Sequence, residues 1–272
     1  NMGVEVDLTG VLIRSNELEW SITANATHYK NEILSLPPEF SDPEGYISGR
    51  DILKVGGSIY DMWYPVYVGV DEETGKSLWR TTEEDGTFGE TTDYAVASQQ
   101  ENSANVGTSL PDLQGGISTS LKAFGFDFSA LVSYQIGGQV FDDAYSELMH
   151  GGEAGEAGSN WHLDILDSWT PDNTNTDVPI VDYSGKDTNA GSDRFIISAS
   201  YLNINNITLG YTIPSRFTDD FNIASMRVFA VADNVALFSK RKGLDPRQSF
   251  SGNTDFIYSP IRTISAGLKL QF

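Results

Sequence analysis

The sequence has no cysteine, few basic residues and no long apolar run, and each absence excludes a class of protein. Without Cys among its 272 residues, disulfide frameworks, thiolate metal sites and cysteine nucleophiles are excluded. Only 17 Lys and Arg stand against 38 Asp and Glu, a net charge of −21. A nucleic-acid-binding surface needs clustered cations, so we expect no nucleic acid partner. No run of 18 apolar residues occurs, and no membrane-spanning helix is predicted.

The negative charge is confined to two stretches of the chain. Segment 39–112 holds 15 acidic and four basic residues, a net of −11, and segment 138–198 holds 12 acidic and two basic residues, a net of −10. The remainder has 11 of each sign and is neutral. Because charge runs usually mark solvated faces, the pattern predicts two long solvated segments between neutral, packed ones.

The neutral segments alternate apolar and polar residues, as strands with one apolar face do. In 264–272, for example, Ile264, Ala266 and Leu268 alternate with small or polar residues. A reversal of phase at Asn205 and Asn206 predicts a β-bulge, since one extra residue turns every later side chain to the other face. The predicted strands are 4–9, 20–26, 115–123, 126–135, 201–211, 225–233 and 264–272.

The connections between these strands are alternately short and long. Short turns are expected at 14–17, 124–125 and 214–222, and long connections at 30–112, 136–198 and 234–259. This alternation is typical of an all-β, antiparallel transmembrane β-barrel with long extracellular loops. Its lumenal face would include Glu5, Asp7, Ser21, Thr23, Lys269 and Gln271.

Two questions about the architecture stay open at this point. Seven strands would cross the membrane, or nine if 58–68 and 78–82 cross as well. Neither number closes a barrel of the size that these loops suggest, and an open edge in lipid leaves backbone groups unpaired, so the chain should be part of something larger. The alternative architecture is a soluble, secreted, carbohydrate-binding β-sandwich.

Several ordered motifs carry a family resemblance. Segment 199–214, ASYLNINNITLGYTIP, is similar to the penultimate hairpin of the SusC/RagA family of TonB-dependent outer-membrane transporters. Segments 239–252 and 258–265 resemble the last extracellular loop and the final strand of that family. Further resembling segments occur upstream in the family's order, at 25–33, 69–76, 109–116 and 161–171.

The resemblance implies a 22-stranded barrel in the outer membrane of a bacterium of the Bacteroidota, in contact with lipid and lipopolysaccharide. Residues 1–272 would be the C-terminal part of that barrel, with acidic extracellular loops at about 30–113 and 136–198. The plug and the N-terminal domains would be absent from this chain. A SusD-like surface lipoprotein would act as a lid, and TonB–ExbB–ExbD would drive import of a glycan or a peptide. Phe272 resembles the terminal aromatic signal for barrel assembly, with a membrane-interface anchor as the alternative.

The sequence offers little for catalysis, so we expect no enzyme, no catalytic residue and no resident metal or cofactor. The three histidines lack metal-ligand spacing, and no nucleophile or phosphate-binding motif occurs. Asp164 and Asp167 could form a glycosidase pair, but a solvated face explains them better. Segment 83–90 weakly resembles a calcium loop without the alternating ligands of an EF-hand.

Binding has a better basis, because aromatic rings with polar handles suit neutral oligomers. Alternatively, these aromatics pack the loops together or contact the lid, and Arg194 pairs only with Asp193. The gathered negative charge disfavours polyanionic substrates. The candidate substrate-binding residues are Trp63, Tyr64, Trp161, Trp169, Asp193 and Arg194.

Overall fold

The computed structural model describes residues 1–152, 156, 158–183, 187–248, 252–254 and 258–272. Over these residues the chain is built from strands, with short helices only in the connections. The elements are β1 (Met2–Arg14), β2 (Leu18–Lys30), β3 (Tyr46–Ser48), β4 (Asp51–Leu53), β5 (Asp61–Pro65), β6 (Tyr67–Val70), β7 (Ser77–Thr82), β8 (Phe88–Thr91), α1 (Tyr94–Ala97), β9 (Ser103–Thr108), β10 (Leu113–Ala123), β11 (Phe126–Ile136), β12 (Gln139–Asp142), α2 (Asp143–Leu148), β13 (Ile196–Ser198), β14 (Tyr201–Ile213), β15 (Ser225–Ser239), β16 (Asn253–Thr254) and β17 (Thr263–Gln271).

Seven long strands form one antiparallel sheet in the order β1-β2-β10-β11-β14-β15-β17. All seven predicted strands are confirmed, and most extend beyond the predicted bounds. The largest displacement of a single strand end is in β15, which continues six residues further, to Ser239, across Asn234, a residue with φ of 50°. A left-handed asparagine is tolerated in a strand, but in sequence it reads as a turn residue.

Of the two strand counts left open, seven is found, and 58–68 and 78–82 do not add two crossing strands. Strand β5 belongs to a separate four-stranded sheet, β3-β4-β5-β9, and β7 belongs to a three-stranded sheet, β6-β7-β8. Both are built from residues between β2 and β10. These short strands pair with one another, so the long connection has a fold of its own.

The pairing register gives the large sheet one polar and one apolar face. Ser21, Ser120, Ser129, Thr208 and Ser265 lie in one row across the sheet, with Val231 between the last two. By the same register, the six residues predicted for the lumen share this polar face. No second sheet of the described residues covers the apolar face, where Val4 is 65% and Ile264 76% exposed. The β-sandwich alternative, which requires that face to be buried, is therefore not supported.

The predicted bulge is confirmed at Asn205. Ile204 pairs with Val132 and Asn206 pairs with Leu131, so Asn205 has no partner opposite it on β11. The shift recurs against β15 between Ile204 and Asn206. Because of this extra residue, Ile204 and Ile207 both face the apolar side although they are three positions apart.

A charged pair crosses the polar face over a glycine. The guanidinium of Arg227 on β15 donates to both carboxylate oxygens of Asp127 on β11, at 2.8 and 2.5 Å. Strand β14 lies between them and places Gly210 at this level. A Cβ atom on Gly210 would lie 2.4 Å from Arg227 Nη2 and 2.5 Å from Asp127 Oδ1. The pair forms because this position has no side chain.

Short turns and long connections lie at opposite ends of the sheet. The β10–β11 turn consists of Phe124 and Gly125, with φ of 50° and 88°, as in a type I′ hairpin. At the other end, three connections leave the sheet, which we call loop 1 (31–112), loop 2 (137–200) and loop 3 (240–262).

Within the described part of the chain, no helix has the length and apolar character needed to cross a membrane.

Candidate functional site

The loops share a small hydrophobic core that brings loop 1 and loop 2 together. Its buried members are Met62 and Tyr64 of β5, Phe141 of β12, Met149 and Phe195. Val106, Tyr145, Ile165, Val178 and Ile196 pack around them. The acidic loops therefore form a packed layer above the end of the sheet.

Tyr64 lies inside this core and is only 3% exposed. Its ring stacks on Phe141 at 5.2 Å between centroids. Burial raises the pKa of its phenol, with Arg50 acting in the opposite direction. Tyr64 has the packing role that the sequence left open, and a substrate cannot reach its ring in this arrangement.

Trp169 is also buried and joins loop 2 to a hairpin of loop 1. Its indole N–H donates to the carbonyl of Glu72, and its backbone N–H donates to Val178. The ring lies against Gly75, where any Cβ would lie about 2.5 Å from it. The Trp169 ring therefore occupies the space that a side chain at position 75 would need.

Trp63 is partly buried on β5, next to the core residue Met62. Its backbone N–H donates to the carbonyl of Arg50. The indole nitrogen is buried and has no hydrogen-bond partner among the described residues. This polar atom is not used by the packing of the loops.

Trp161 offers a ring to the surface while its polar atom is held from behind. The side chain is 49% exposed and stacks on His150, with 5.2 Å between ring centroids. Its indole N–H donates to the His150 carbonyl at 3.0 Å and lies 3.2 Å from His150 Nδ1. His150 itself is buried. Of the four candidate aromatics, Trp161 has the geometry of a fixed, accessible platform.

Asp193 and Arg194 are placed side by side but do not pair with each other. Asp193 Oδ1 accepts the backbone N–H of Tyr67 at 2.7 Å, and burial raises the pKa of this carboxyl group. The guanidinium of Arg194 lies 5.1 Å from the ring centroids of Tyr67 and Phe195, and donates to the carbonyl of Thr188. Burial lowers the Arg194 pKa and raises that of Tyr67 to about 12. Both residues tie β6 of loop 1 to the end of loop 2.

The structure gives Asp164 and Asp167 no catalytic geometry. Asp164 lies in a short 3-10 helix, Leu163–Asp167, where it accepts a hydrogen bond from the Tyr145 hydroxyl and lies 3.2 Å from His162. No apolar enclosure isolates one of the two carboxyl groups, since Asp164 is half exposed.

The weak calcium motif forms a β-hairpin turn between β7 and β8. Asp85 accepts from the backbone N–H and hydroxyl of Thr87, and these hydrogen bonds lower its pKa. Over the described residues, no three His, Cys, Asp or Glu side chains are grouped so that they could hold a metal ion. Asp85 therefore stabilises the turn itself.

Sequence reasoning missed the charged residues that join the three loops. Arg50 of loop 1 pairs with Asp143 of loop 2, and Arg241 of loop 3 pairs with Asp142. Neither pair is close in sequence, and no motif marks either one.

Comparisons with known proteins show which proteins the whole chain is similar to. No family model matches the chain. It is 25% identical over 295 residues to TonB-dependent receptor P3 of Formosa agariphila, covering 100% of this chain and 28% of that protein. It is 26% identical over 286 residues to TonB-dependent receptor SusC of Bacteroides thetaiotaomicron, covering 100% of this chain and 26% of that receptor.

Solved structures agree with these relatives. The RagAB peptide transporter matches with a TM-score of 0.81 and 25% identity, over 99% of this chain and 29% of that one. The RagAB peptide importer in its open-open state gives the same TM-score at 24% identity. Over its whole length the chain is similar in sequence and fold to part of the SusC/RagA-family TonB-dependent receptors. It spans under a third of the length of these relatives, so its seven long strands are part of a large antiparallel barrel.

In this barrel portion, the candidate site lies at the loop end of the seven-stranded sheet. Phe272, the predicted assembly signal, follows β17 and is 84% exposed. By alternation from Leu270 it lies on the apolar face. Its position suits both a signal for barrel assembly and an anchor at a membrane interface, which stay predictions.

Proposed function

We propose that this chain forms part of an outer-membrane receptor that imports a nutrient oligomer, a glycan or a peptide, in bacteria. The observation that carries the proposal is the sheet itself, whose apolar face is exposed along its length while its polar face carries charged and hydroxyl side chains. A lipid-facing wall around a polar lumen has this pattern. The relatives named TonB-dependent receptor support the same role.

The three loops would form the extracellular rim of the transport cavity. The acidic excess of loops 1 and 2 would repel polyanions and favour neutral or cationic oligomers. Trp161 is the best-placed candidate for substrate contact, since its ring is exposed and held in one orientation. The RagAB structures are those of a peptide transporter, which supports a peptide as one of the two substrate classes.

We propose three partners for the complete receptor. A SusD-like surface lipoprotein would cover the loop layer as a lid, TonB–ExbB–ExbD would supply energy through segments outside this chain, and lipid and lipopolysaccharide would surround the apolar face. The protein would have no enzymatic activity, in keeping with relatives that are named as receptors.

Growth and binding measurements test the proposal. Deletion of the receptor gene should abolish growth on one oligosaccharide or peptide as sole nutrient while growth on its monomers continues. The purified receptor should bind that same oligomer. If deletion affects growth on no glycan and no peptide, a display barrel without transport becomes the better explanation.

Extraction from membranes tests the placement in lipid separately. We expect the full-length receptor to be extracted from outer membranes only with detergent, because its apolar face is exposed along the whole sheet. A monomer that is soluble in plain buffer would contradict the barrel in lipid.

A further inference from the structure

All three loops meet at three consecutive residues, Phe141, Asp142 and Asp143, which we call the loop junction. These residues end β12 and begin α2. Toward loop 3, the backbone N–H of Phe141 donates to the carbonyl of Gly252 at 2.7 Å. The hydroxyl of Thr254 donates to the carbonyl of Phe141 at 3.0 Å. The junction is thus bonded to loop 3 through its main chain.

The side chain of Asp142 adds a second connection to loop 3. One carboxylate oxygen accepts the backbone N–H of Tyr145 and caps the N-terminus of α2. The other lies 2.5 Å from Arg241 Nε of loop 3, and this carboxylate is almost fully buried. The Arg241 guanidinium lies 3.5 Å from the ring centroid of Tyr145. One carboxylate therefore holds both the start of α2 and the start of loop 3.

Loop 1 is attached to the opposite side of the junction. Arg50 Nη1 donates to Asp143 at 2.8 Å, and the same guanidinium lies 4.3 Å from the Phe141 ring centroid. The carbonyl of Arg50 accepts the backbone N–H of Trp63, which attaches this contact to β5 of the four-stranded sheet in loop 1.

We propose that the loop junction couples loop 1 to loop 3, so that loosening one loop loosens the other. The two ion pairs are formed by adjacent residues at the end of one strand and the first turn of one helix, which cannot shift independently. Removing Arg241 leaves the almost fully buried Asp142 carboxylate without a cation, a costly state, and removing Arg50 does the same to the partly buried Asp143 at a smaller cost. The neighbouring residues then rearrange, and the second pair is disturbed. This inference depends on the packing of the loops and not on the transported substrate.

Hydrogen–deuterium exchange of the full-length receptor in detergent tests the coupling. The variant Asp142→Asn keeps an oxygen to cap α2 but removes the charge that faces Arg241. Asp143→Asn is its matched counterpart on the loop 1 side. We expect each variant to raise exchange on the order of tenfold in both peptides, 50–65 of loop 1 and 241–247 of loop 3, as loss of roughly one partly or fully buried ion pair would.

The control is Asp85→Asn, which removes a charge from an exposed turn of loop 1 away from the junction. It should leave exchange in both peptides unchanged. If Asp142→Asn raises exchange only in loop 3 and Asp143→Asn only in loop 1, the loops are independent and the proposal is wrong.

A second pair of variants covers the case in which the aspartate variants do not assemble. Arg50→Gln and Arg241→Gln remove the same ion pairs from the outer partners and leave the junction sequence intact. Coupling predicts that the double variant raises exchange in either peptide by clearly less than the product of the single effects. Multiplicative effects would overturn it.

Discussion

Because Arg227 contacts Asp127 directly above Gly210, we predict that Gly210→Ala lowers the stability of the native receptor. In a variant that lacks the Arg227–Asp127 pair, the same substitution should raise stability. Gly210→Ala places a methyl group within about 2.5 Å of both charged side chains and must separate them. A bidentate pair to charged groups contributes roughly 2–3 kcal/mol when buried. Both side chains retain close to 30% of their exposure, so screening reduces this to roughly 1–2 kcal/mol.

Gly210 itself lowers the stability of the folded strand, so its replacement by Ala also has a stabilising effect. Replacing Gly by Ala inside a strand gains about 0.5–1 kcal/mol, because glycine loses more conformational freedom on folding. In the native background the two contributions leave a net loss of roughly 0.5–1 kcal/mol. In an Asp127→Ala/Arg227→Ala background the pair is gone, and Gly210→Ala should stabilise the barrel by about 0.5 kcal/mol.

Denaturant unfolding of the full-length receptor in detergent micelles, followed by tryptophan fluorescence, measures both differences. The midpoint should fall on Gly210→Ala in the native background and rise in the alanine background. Gly116→Ala serves as a comparison, because its Cβ would meet no charged side chain. The reasoning is refuted if Gly210→Ala changes stability by the same amount in both backgrounds.

Three further predictions concern other parts of the chain. Trp161→Ala should weaken binding of the transported oligomer about fivefold in a calorimetric titration without changing loop stability, since one ring stack contributes roughly 1 kcal/mol. Trp169→Ala should instead destabilise the loops by about 3–5 kcal/mol, as loss of a buried ring does. Equal effects of the two variants would contradict the placement of Trp161. The raised pKa of Asp193 means that the folded loops bind a proton more tightly than the unfolded chain, so this residue's contribution to stability is fully present below about pH 4 and is lost as the pH rises through its folded pKa. Asp193→Asn keeps the acceptor for Tyr67 and should flatten that part of the pH profile in limited proteolysis; an unchanged profile would exclude Asp193 as its source. Phe272→Ala should lower the amount of receptor assembled in the outer membrane if the terminal aromatic is an assembly signal, whereas an interface anchor predicts normal assembly with lower thermal stability.

Local periodicity predicted the barrel wall well, because a strand with one face in lipid and one in a polar lumen must alternate residue by residue. The bulge at Asn205 was visible for the same reason, since a change of phase has no other simple cause in a strand. The extent of β15 was not predictable, because a left-handed asparagine such as Asn234 ends many strands and continues others. Pairing with β14, which continues from Ala236 to Ser239, decided the outcome.

The candidate site was less predictable than the wall. Aromatic composition selected Tyr64, Trp161 and Trp169 alike, but burial separates them. Tyr64 and Trp169 stabilise the loop layer, and Trp161 stays accessible because His150 holds its indole N–H from beneath. No local signal distinguishes a tryptophan that packs from one that is held at the surface.

The sequence by itself determined what depends on neighbours along the chain: seven strands, their two faces, the short turns at one end and the acidic loops at the other. Only the tertiary structure decided which distant charges pair, such as Arg241 with Asp142, Arg50 with Asp143 and Arg227 with Asp127 across Gly210. The physical reason is that alternation is imposed by the geometry of each strand. The pairing of a charge depends on which side chains the fold brings within about 3 Å of it, and residues separated by close to a hundred positions leave no periodic trace of that contact.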